Sequence, residues 1–373
     1  MTTKTIKTIM FASLIAGMIV PFSVMHSADA EITCDELIRL DNLKKIDKID
    51  TELVKKLAKE NSEYKKIESI GKISEQPIVF EGTLDKENCT SEITDVTQSF
   101  KYVDTDKNAK KFAITYDAND LAVKKIITKD DKKTEFTFLG AVSGNWAGYS
   151  VRDHSGASNV DGSLMYWNTP TPYDPSGINC GTTGADQCHV SVWTGLTDTN
   201  DGSDVLSQLG TDSACIGNNC TSRDYSAWMQ YWDDGSLVAD VDCYLTTPSA
   251  GDSMYGSMTY ITSGTDRYYG YLANLSTSQT CSSYRYETET PVWGQFVAER
   301  PQIDETNTVL AQFTDFTVTG YFYDSGVLQG ADEIDSSGYD YHKDYVESTS
   351  DPFAQPTTPT SSDTFTMDYI KSN

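Results

Sequence analysis

The rear part of the chain, residues 141–373, has a composition that favours a β-rich fold. Ser, Thr, Tyr and Gly dominate it, and short runs that alternate polar and apolar residues are separated by turn-forming residues. All six Trp fall between Trp146 and Trp293. This pattern is typical of an antiparallel β-sandwich or β-barrel. The region is long enough for one large all-β domain with its own core.

Residues 31–140 differ in composition from the rear part. They carry 20 of the 29 Lys and Arg residues, together with 23 acidic residues. Apolar residues recur every three or four positions from Leu37 to Leu57, which predicts amphipathic helix. Thr33 and Glu36 have the spacing of a capping box. Strand-like runs follow, so we predict a small α+β unit; the runs are 99–103, 111–116, 121–128 and 134–139.

The first 30 residues have the form of an export signal. Lys4 and Lys7 give a basic start, residues 9–20 are almost wholly apolar, and residues 28–30 (Ala-Asp-Ala) resemble a cleavage site. The apolar run is too short to span a bilayer comfortably. We therefore predict a signal peptide over 1–30, a secreted extracellular protein, and no membrane association after the signal is removed.

The eight cysteines fit an exported protein. Two of them, Cys34 and Cys89, lie in the front part, and six lie in the rear part. No group of them has zinc-finger spacing, so no metal site is predicted. Local spacing favours three pairings in the rear part, although others remain open; they are Cys180–Cys188, Cys215–Cys220 and Cys243–Cys281.

The formal net charge of the chain is −26, and the rear part has 31 acidic residues against 7 Lys and Arg. Such a domain repels nucleic acid, which excludes nucleic-acid partners. The loss of lysine fits a protein that works where carboxylates are protonated, below pH ~4. Adaptation to high salt and simple solubility are the alternatives. We interpret the lysine-bearing front part as a pro-segment that docks on the acidic rear part at neutral pH and leaves it in acid. The clusters expected to dock are Lys44-Lys45, Lys55-Lys56 and Lys124-Lys125.

Residues 293–301 predict a strand that delivers one carboxylate to a surface. One face is polar and aromatic and the other is small or apolar, which suits a sheet interior. Pro301 cannot donate to a ladder and should end the strand. An acid at a strand end is more often a solvated surface group. The polar face comprises Trp293, Gln295, Val297 and Glu299, and the apolar face Gly294, Phe296 and Ala298.

Catalysts suited to neutral pH fit this chain poorly. Asp153, His154 and Ser155 are consecutive, so they cannot face one another as a serine triad. A histidine is protonated in acid and cannot act as a base there, which argues against His154, His189 and His342.

The rear part resembles the glutamic peptidases, also called eqolisins, a family of acid endopeptidases. Seven short segments occur in the family's order, and the last of them is similar to Glu-Phe-Ile-Ile-Glu, which ends on the family's catalytic glutamate. The segments are 145–148 (NWAG), 192–195 (VWTG), 205–210 (VLSQLG), 225–228 (YSAW), 250–252 (AGD), 274–277 (NLST) and 295–299 (QFVAE).

The resemblance implies a catalytic dyad of Gln208 and Glu299. An ionised Glu299 can hold a water and take its proton as the water attacks a peptide carbonyl. The neutral amide of Gln208 can donate to the developing oxyanion and orient the water. Glu299 has to stay ionised in acid, so hydrogen bonds that keep its pKa at or below the ordinary value are expected.

By the same resemblance, Trp193 walls the substrate cleft. Trp228, Gln230 and Trp232 alternate onto one strand face and form another wall, with core packing as the alternative for the aromatics. The chain departs from the family pattern at several positions, so its subsite preferences and hydrogen-bond network are expected to differ. These departures are Ser226, Gln230, Trp232 and Gln295, with a further one near Thr197.

The interpretation as a whole is an all-β protein with a small α+β pro-segment over 31–140. A β-sandwich of two antiparallel sheets, of concanavalin-like or jelly-roll type, is expected over 141–373. The implied activity is that of a secreted, acid-active endopeptidase made as a zymogen. The expected state is a monomer without cofactor or metal, and its partners are polypeptide substrates and its own pro-segment as an intramolecular inhibitor.

Two other classes of function stay open. A sandwich with an aromatic-lined acidic cleft would also suit a carbohydrate-binding or glycoside-hydrolysing protein. A retaining glycosidase would need a second carboxyl group about 5–5.5 Å from Glu299. The third possibility is an inactive adhesive surface protein on the same scaffold.

Overall fold

The computed structural model describes residues 33–130, 145–154, 159–198, 205–303, 306–335, 338–344, 346 and 352–371. The front part contains helices α1 (Cys34–Ile46), α2 (Thr51–Glu60) and α3 (Ser62–Glu68), and strands β1 (Ile73–Glu75), β2 (Val79–Asp85), β3 (Thr90–Val103), β4 (Ala109–Asp117) and β5 (Val123–Asp130). The rear part contains β6 (Trp146–Asp153), β7 (Val160–Asn168), β8 (Cys188–Thr197), β9 (Leu206–Ile216), β10 (Ser222–Asp233), β11 (Ser236–Asp242), β12 (Ser253–Ile261), β13 (Arg267–Asn274), β14 (Gln279–Tyr286), β15 (Trp293–Glu299), β16 (Gln302–Ile303), β17 (Thr306–Asn307), β18 (Val309–Leu310), β19 (Phe316–Asp324), β20 (Val327–Gly330), β21 (Tyr339–Asp344), β22 (Ala354–Pro356) and β23 (Thr364–Tyr369).

Two large sheets pack face to face as a sandwich, which confirms the predicted fold class. The larger sheet has the strand order β22-β23-β19-β7-β12-β13-β14-β2-β3-β4-β5, and the smaller has the order β11-β10-β9-β8-β15-β6-β21. Pairing along both paths is antiparallel. Short β18 adds to β8 in parallel.

The main core lies between the two sheets and follows the alternation of the strands. Trp167 and Met258 point into it from the larger sheet, and Leu209 and Phe296 from the smaller one. Their neighbours along each strand point away from the core, because successive side chains of a strand lie on opposite faces. The apolar face predicted for residues 293–299 is therefore the inner face, and β15 ends at Glu299, before Pro301.

The helices cover the outer face of the larger sheet. Arg39 donates from Nε to Glu36 Oε2 at 2.8 Å, and the hydroxyls of Tyr255 and Tyr323 donate to the two oxygens of Glu36 at 3.0 and 2.9 Å. Burial raises the pKa of Glu36, but the charge and hydrogen bonds of Arg39 outweigh it and lower the pKa overall. This ion pair anchors α1 to the sheet from inside a second apolar core.

The predicted apolar face is confirmed in part: Ile46 is buried, and Leu43 and Leu57 pack against the second core. Leu37 and Leu53 are exposed, whereas Ile38, Val54 and Ala58 are buried. Helix α1 ends at Ile46 and α2 starts at Thr51, so the run from Leu37 to Leu57 is not one continuous helix and its two parts do not share one phase. The predicted cap is confirmed on one side, since the hydroxyl of Thr33 accepts from the N–H of Glu36 at 3.3 Å.

The front part continues the larger sheet of the rear part. Strand β2 pairs with β14 over five residue pairs, and β3, β4 and β5 follow in order. Ser282 and Ser283 of β14 also donate side-chain hydrogen bonds to the carbonyls of Phe80 and Ile78. Front and rear therefore share one sheet.

The disulfides Cys180–Cys188, Cys215–Cys220 and Cys243–Cys281 confirm the predicted pairings. A fourth, Cys34–Cys89, ties the start of α1 to the turn before β3. Four disulfides fit an oxidising, extracellular compartment. In the described residues, no helix is long and apolar enough to cross a membrane. The predicted signal peptide and the run 134–139 lie outside the described residues.

Candidate active site

The outer face of the smaller sheet carries the residues singled out by the sequence. Alternation along β8, β9, β10 and β15 places Trp193, Gln208, Gln230 and Glu299 on this face, opposite the main core. A third apolar cluster surrounds them, and it is buried although it lies outside the sandwich core. This cluster comprises Trp146, Trp193, Leu206, Trp228, Trp232 and Val297.

Glu299 lies at the end of β15, between Trp146 of β6 and Ser191 of β8. Its Oε2 accepts a 2.8 Å hydrogen bond from the indole N–H of Trp193, whose ring packs edge-on against Trp146 at 5.0 Å. The residue is only 1% exposed. Burial raises its pKa well above the ordinary value, against the opposing effect of the Trp193 and Trp146 hydrogen bonds. The expectation of a pKa at or below the ordinary value is therefore wrong for this conformation, because burial outweighs two indole donors.

Gln208 lies near the start of β9, with Gly195 on one side and Gln230 on the other. Its Nε2 donates to Gln230 Oε1 at 3.2 Å, and Gln230 Nε2 donates to Asp240 Oδ1 at 3.5 Å. Gln208 is fully buried. Its Oε1 has no hydrogen-bond partner among the residues that the structure describes.

Gln208 and Glu299 share one face but flank different ends of β8. Gln208 pairs with Gly195, and Glu299 pairs with Ser191, four residues along the same strand. With strands about 4.8 Å apart and a rise of about 3.3 Å per residue, their Cα atoms lie about 16 Å apart on a flat sheet. Trp193 lies between Gln208 and Glu299. A water that contacts both of them therefore requires the two side chains to extend toward the indole of Trp193.

Close approach between β8 and β9 on this face depends on glycine at Gly195 and at Gly210. Gly210 lies opposite Trp193. A Cβ on Gly210 would lie 2.5 Å from the Cβ of Trp193 and 2.2 Å from the carbonyl oxygen of Val192. Glycine thus lets the Trp193 side chain rise from the sheet toward Glu299.

A buried polar group beside Glu299 was missed by the sequence analysis. Asp212 accepts from Ser191 Oγ and contacts His189 Nδ1, both at 2.8 Å. Asp212, Ser191 and Glu299 lie in one row across β9, β8 and β15. The charge of Asp212 adds to the rise in the Glu299 pKa. The available signal was the alternation of His189, Ser191 and Trp193 along one strand face.

Three lysines of the front part meet two aspartates at the edge of this face. Lys101, Lys111 and Lys129 lie directly opposite one another on β3, β4 and β5. Asp242 of β11 lies 2.9 Å from Lys111 Nζ and 2.8 Å from Lys129 Nζ, and Asp240 lies 3.5 Å from Lys101 Nζ. Like charges placed opposite one another repel, so this lysine row depends on the two aspartates.

The lysine clusters expected to dock do not make these contacts. Lys45, Lys55 and Lys124 instead form ion pairs within the front part, with Asp41, Glu52 and Asp95. Burial raises the pKa of Asp242, but the charges of Lys111 and Lys129 outweigh it and hold that pKa below the ordinary value. The pairing of Asp242 with Lys111 and Lys129 is therefore favoured down to a lower pH than for an ordinary carboxyl group.

One group of possible metal ligands lies close together in the described residues, namely Asp174, Cys180 and Cys188. The two cysteines form a disulfide, so no thiolate is available to bind a metal.

Neither a protein-family model nor a curated protein matches the chain. Among solved structures, scytalido-glutamic peptidase with a transition state analog inhibitor is similar, at 20% identity and a TM-score of 0.45, over 61% of this chain and 99% of its own. SCP-B, a member of the eqolisin family of peptidases in a complex with the tripeptide Ala-Ile-His, has 19% identity and a TM-score of 0.41, with the same coverage of both chains.

Proposed function

We propose that the chain is a secreted, acid-active glutamic-type endopeptidase made as a zymogen. The observation that carries this proposal is a buried carboxyl group, Glu299, held by the indole N–H of Trp193 on the face that also carries the amide of Gln208. A carboxyl group in an apolar, tryptophan-lined site with an uncharged amide on the same face suits proton transfer without a second titrating group.

In the proposed reaction, a water lies between Gln208 and Glu299. The carboxylate of Glu299 takes one proton as the water oxygen attacks the peptide carbonyl carbon. An N–H of Gln208 donates to the oxyanion, and Gln208 Oε1 accepts the second hydrogen of the water. Glu299 then gives its proton to the peptide nitrogen, and the C–N bond breaks. Trp193, Trp228, Gln230 and Trp232 would line the substrate cleft.

The raised pKa of Glu299 supports the zymogen part of the proposal. A protonated Glu299 cannot take a proton from water, so the buried conformation is inactive in acid. Uncovering the site would hydrate the carboxyl group and let its pKa fall toward the ordinary value. We propose that residues 31–140 keep the site buried, acting as an intramolecular inhibitor. We propose that the chain is cut between Thr134 and Asn145, a stretch that falls almost wholly outside the described residues.

The activity is tested with purified full-length protein and a denatured protein substrate at pH ~3 and pH ~7. The isosteric Glu299→Gln variant should fold normally and lose activity, because an amide cannot accept the proton. Gln208→Ala should lose activity by a factor of roughly 10² or more. Full activity of Glu299→Gln in acid would exclude Glu299 as the base.

The zymogen is tested by following the intact mass and the activity of full-length protein at pH ~3. Activity should appear as the chain is cut between the two parts, and Glu299→Gln should stay uncut if the cut is made by the protein itself. Full activity of the uncut chain would contradict inhibition by the front part.

Asp212 favours one second candidate, a glycoside hydrolase. It lies in the same row as Glu299, two strands away, at about 10 Å between Cα atoms. Inverting glycosidases place two carboxyl groups about 6.5–9.5 Å apart. Release of reducing sugar from polysaccharides, lost in both Asp212→Asn and Glu299→Gln, would favour this candidate over the peptidase.

A further inference from the structure

A hydrogen-bonded row leads from the proposed dyad to the edge of the smaller sheet. Gln208, Gln230 and Asp240 lie directly opposite one another on β9, β10 and β11. Gln208 donates to Gln230, and Gln230 donates to Asp240. The row therefore ends on the one charged group among the three residues.

The chemistry of the row fixes the direction of both amides. Asp240 Oδ2 faces Lys101 Nζ and its Oδ1 accepts from Gln230 Nε2, so Gln230 presents its NH₂ group to Asp240. Gln230 Oε1 then faces Gln208, which has to present its own NH₂ group in return. Gln208 Oε1 is left facing away from the row, as an acceptor.

The front part holds Asp240 in place. One carboxylate oxygen, Oδ1, accepts from Gln230, and the other, Oδ2, lies 3.5 Å from Lys101 Nζ. The backbone N–H of Asp240 donates to Gln76 Oε1 at 3.2 Å. In the uncut chain, the backbone N–H and one carboxylate oxygen of Asp240 therefore contact the front part, while Oδ1 contacts Gln230.

We propose that Asp240 is a positioning residue that sets the orientation of Gln208 through Gln230. The proposal rests on the proposed function of Gln208. With its NH₂ group facing Gln230, Gln208 can accept the second hydrogen of the attacking water at Oε1. The other N–H of the amide remains for the oxyanion. If the amide of Gln208 were turned over, its NH₂ group would donate to the water. That hydrogen bond would occupy the lone pair of the water oxygen that has to attack the carbonyl carbon. The two orientations have the same shape, so only the hydrogen-bond row distinguishes them.

Asp240→Asn tests the row because asparagine can offer Gln230 either a donor or an acceptor. If the Gln208 amide keeps the productive orientation in about a tenth of the molecules, kcat should fall about tenfold, and KM should stay within about twofold of the wild-type value. The double variant Asp240→Asn, Gln230→Glu should regain most of kcat, because the carboxylate introduced on β10 would accept directly from Gln208. Asp234→Asn is the matched control: Asp234 is exposed in the β10–β11 turn at positive φ, where asparagine is well accommodated.

A second measurement does not depend on activity. The side-chain amide resonances of Gln208 and Gln230 should shift or double in Asp240→Asn and stay unchanged in Asp234→Asn. Unchanged resonances together with an unchanged kcat would overturn the positioning role. Inactive wild-type protein whose amide resonances respond to Asp240→Asn would contradict the proposed peptidase and leave the row confirmed as the group that orients Gln208.

Discussion

Glu81 should make the protein more stable in acid than at neutral pH. It lies on β2 of the front part, is 4% exposed, and accepts a 2.6 Å hydrogen bond from the N–H of Leu245 in the rear part. Burial and the charge of Asp95 raise its pKa from 4.5 to about 7, against the effect of the Leu245 hydrogen bond. Its titration therefore acts on the junction between the two parts.

The direction and the size of this effect of pH on stability follow from proton linkage. The unfolded chain releases this proton near pH 4.5, whereas the folded protein keeps it to about pH 7. The stabilisation is thus fully present below pH ~4.5 and is lost as the pH rises to ~7. The rise of the pKa from 4.5 to about 7 corresponds to about 3 kcal/mol in the free energy of unfolding.

Glu81→Gln isolates this contribution. Its amide oxygen still accepts from Leu245 but does not ionise. In urea unfolding followed by tryptophan fluorescence, we expect equal stability of variant and wild type at pH 4 and a gain of about 3 kcal/mol for the variant at pH 8. Glu92→Gln, at an exposed glutamate of β3, should show no such gain. A difference between Glu81→Gln and wild type that does not change with pH would refute the reasoning.

Three further variants test other features. Trp193→Phe removes a donor to the charged form of Glu299, so its pKa should rise further and the acid limb of the pH–activity profile should move to higher pH. Gly210→Ala should lower the free energy of unfolding by about 1–3 kcal/mol in urea, whereas Gly71→Ala, with its nearest neighbour at 3.6 Å, should be neutral. Arg39→Met should cost about 3–5 kcal/mol in the same assay, because it leaves a buried carboxylate unpaired.

Features that depend on local alternation could be predicted from the sequence. The faces of residues 293–299 follow from a period of two, which any strand imposes on its own side chains. The same holds for Trp228, Gln230 and Trp232 on β10. The short-range cysteine pairs Cys180–Cys188 and Cys215–Cys220 were predictable because a short connection keeps their ends close.

Features that depend on which strands become neighbours could not be predicted. The row of Lys101, Lys111 and Lys129 exists only once β3, β4 and β5 are aligned in register. Asp240 became relevant only because β11 pairs with β10. The pKa of Glu299 was misjudged for a related reason: burial of the outer face depends on the whole fold, whereas the Trp193 hydrogen bond depends on one pair of strands.

The pairing of β2 with β14 has a consequence for aggregation. Without the front part, β14 would be an edge strand with a row of unpaired N–H and C=O groups, and such edges recruit strands from other copies. A cut in the chain between Asp130 and Asn145 breaks none of the five β2–β14 residue pairs. The front part therefore protects the edge of the larger sheet against pairing between molecules, and it would still do so after such a cut for as long as it stays attached.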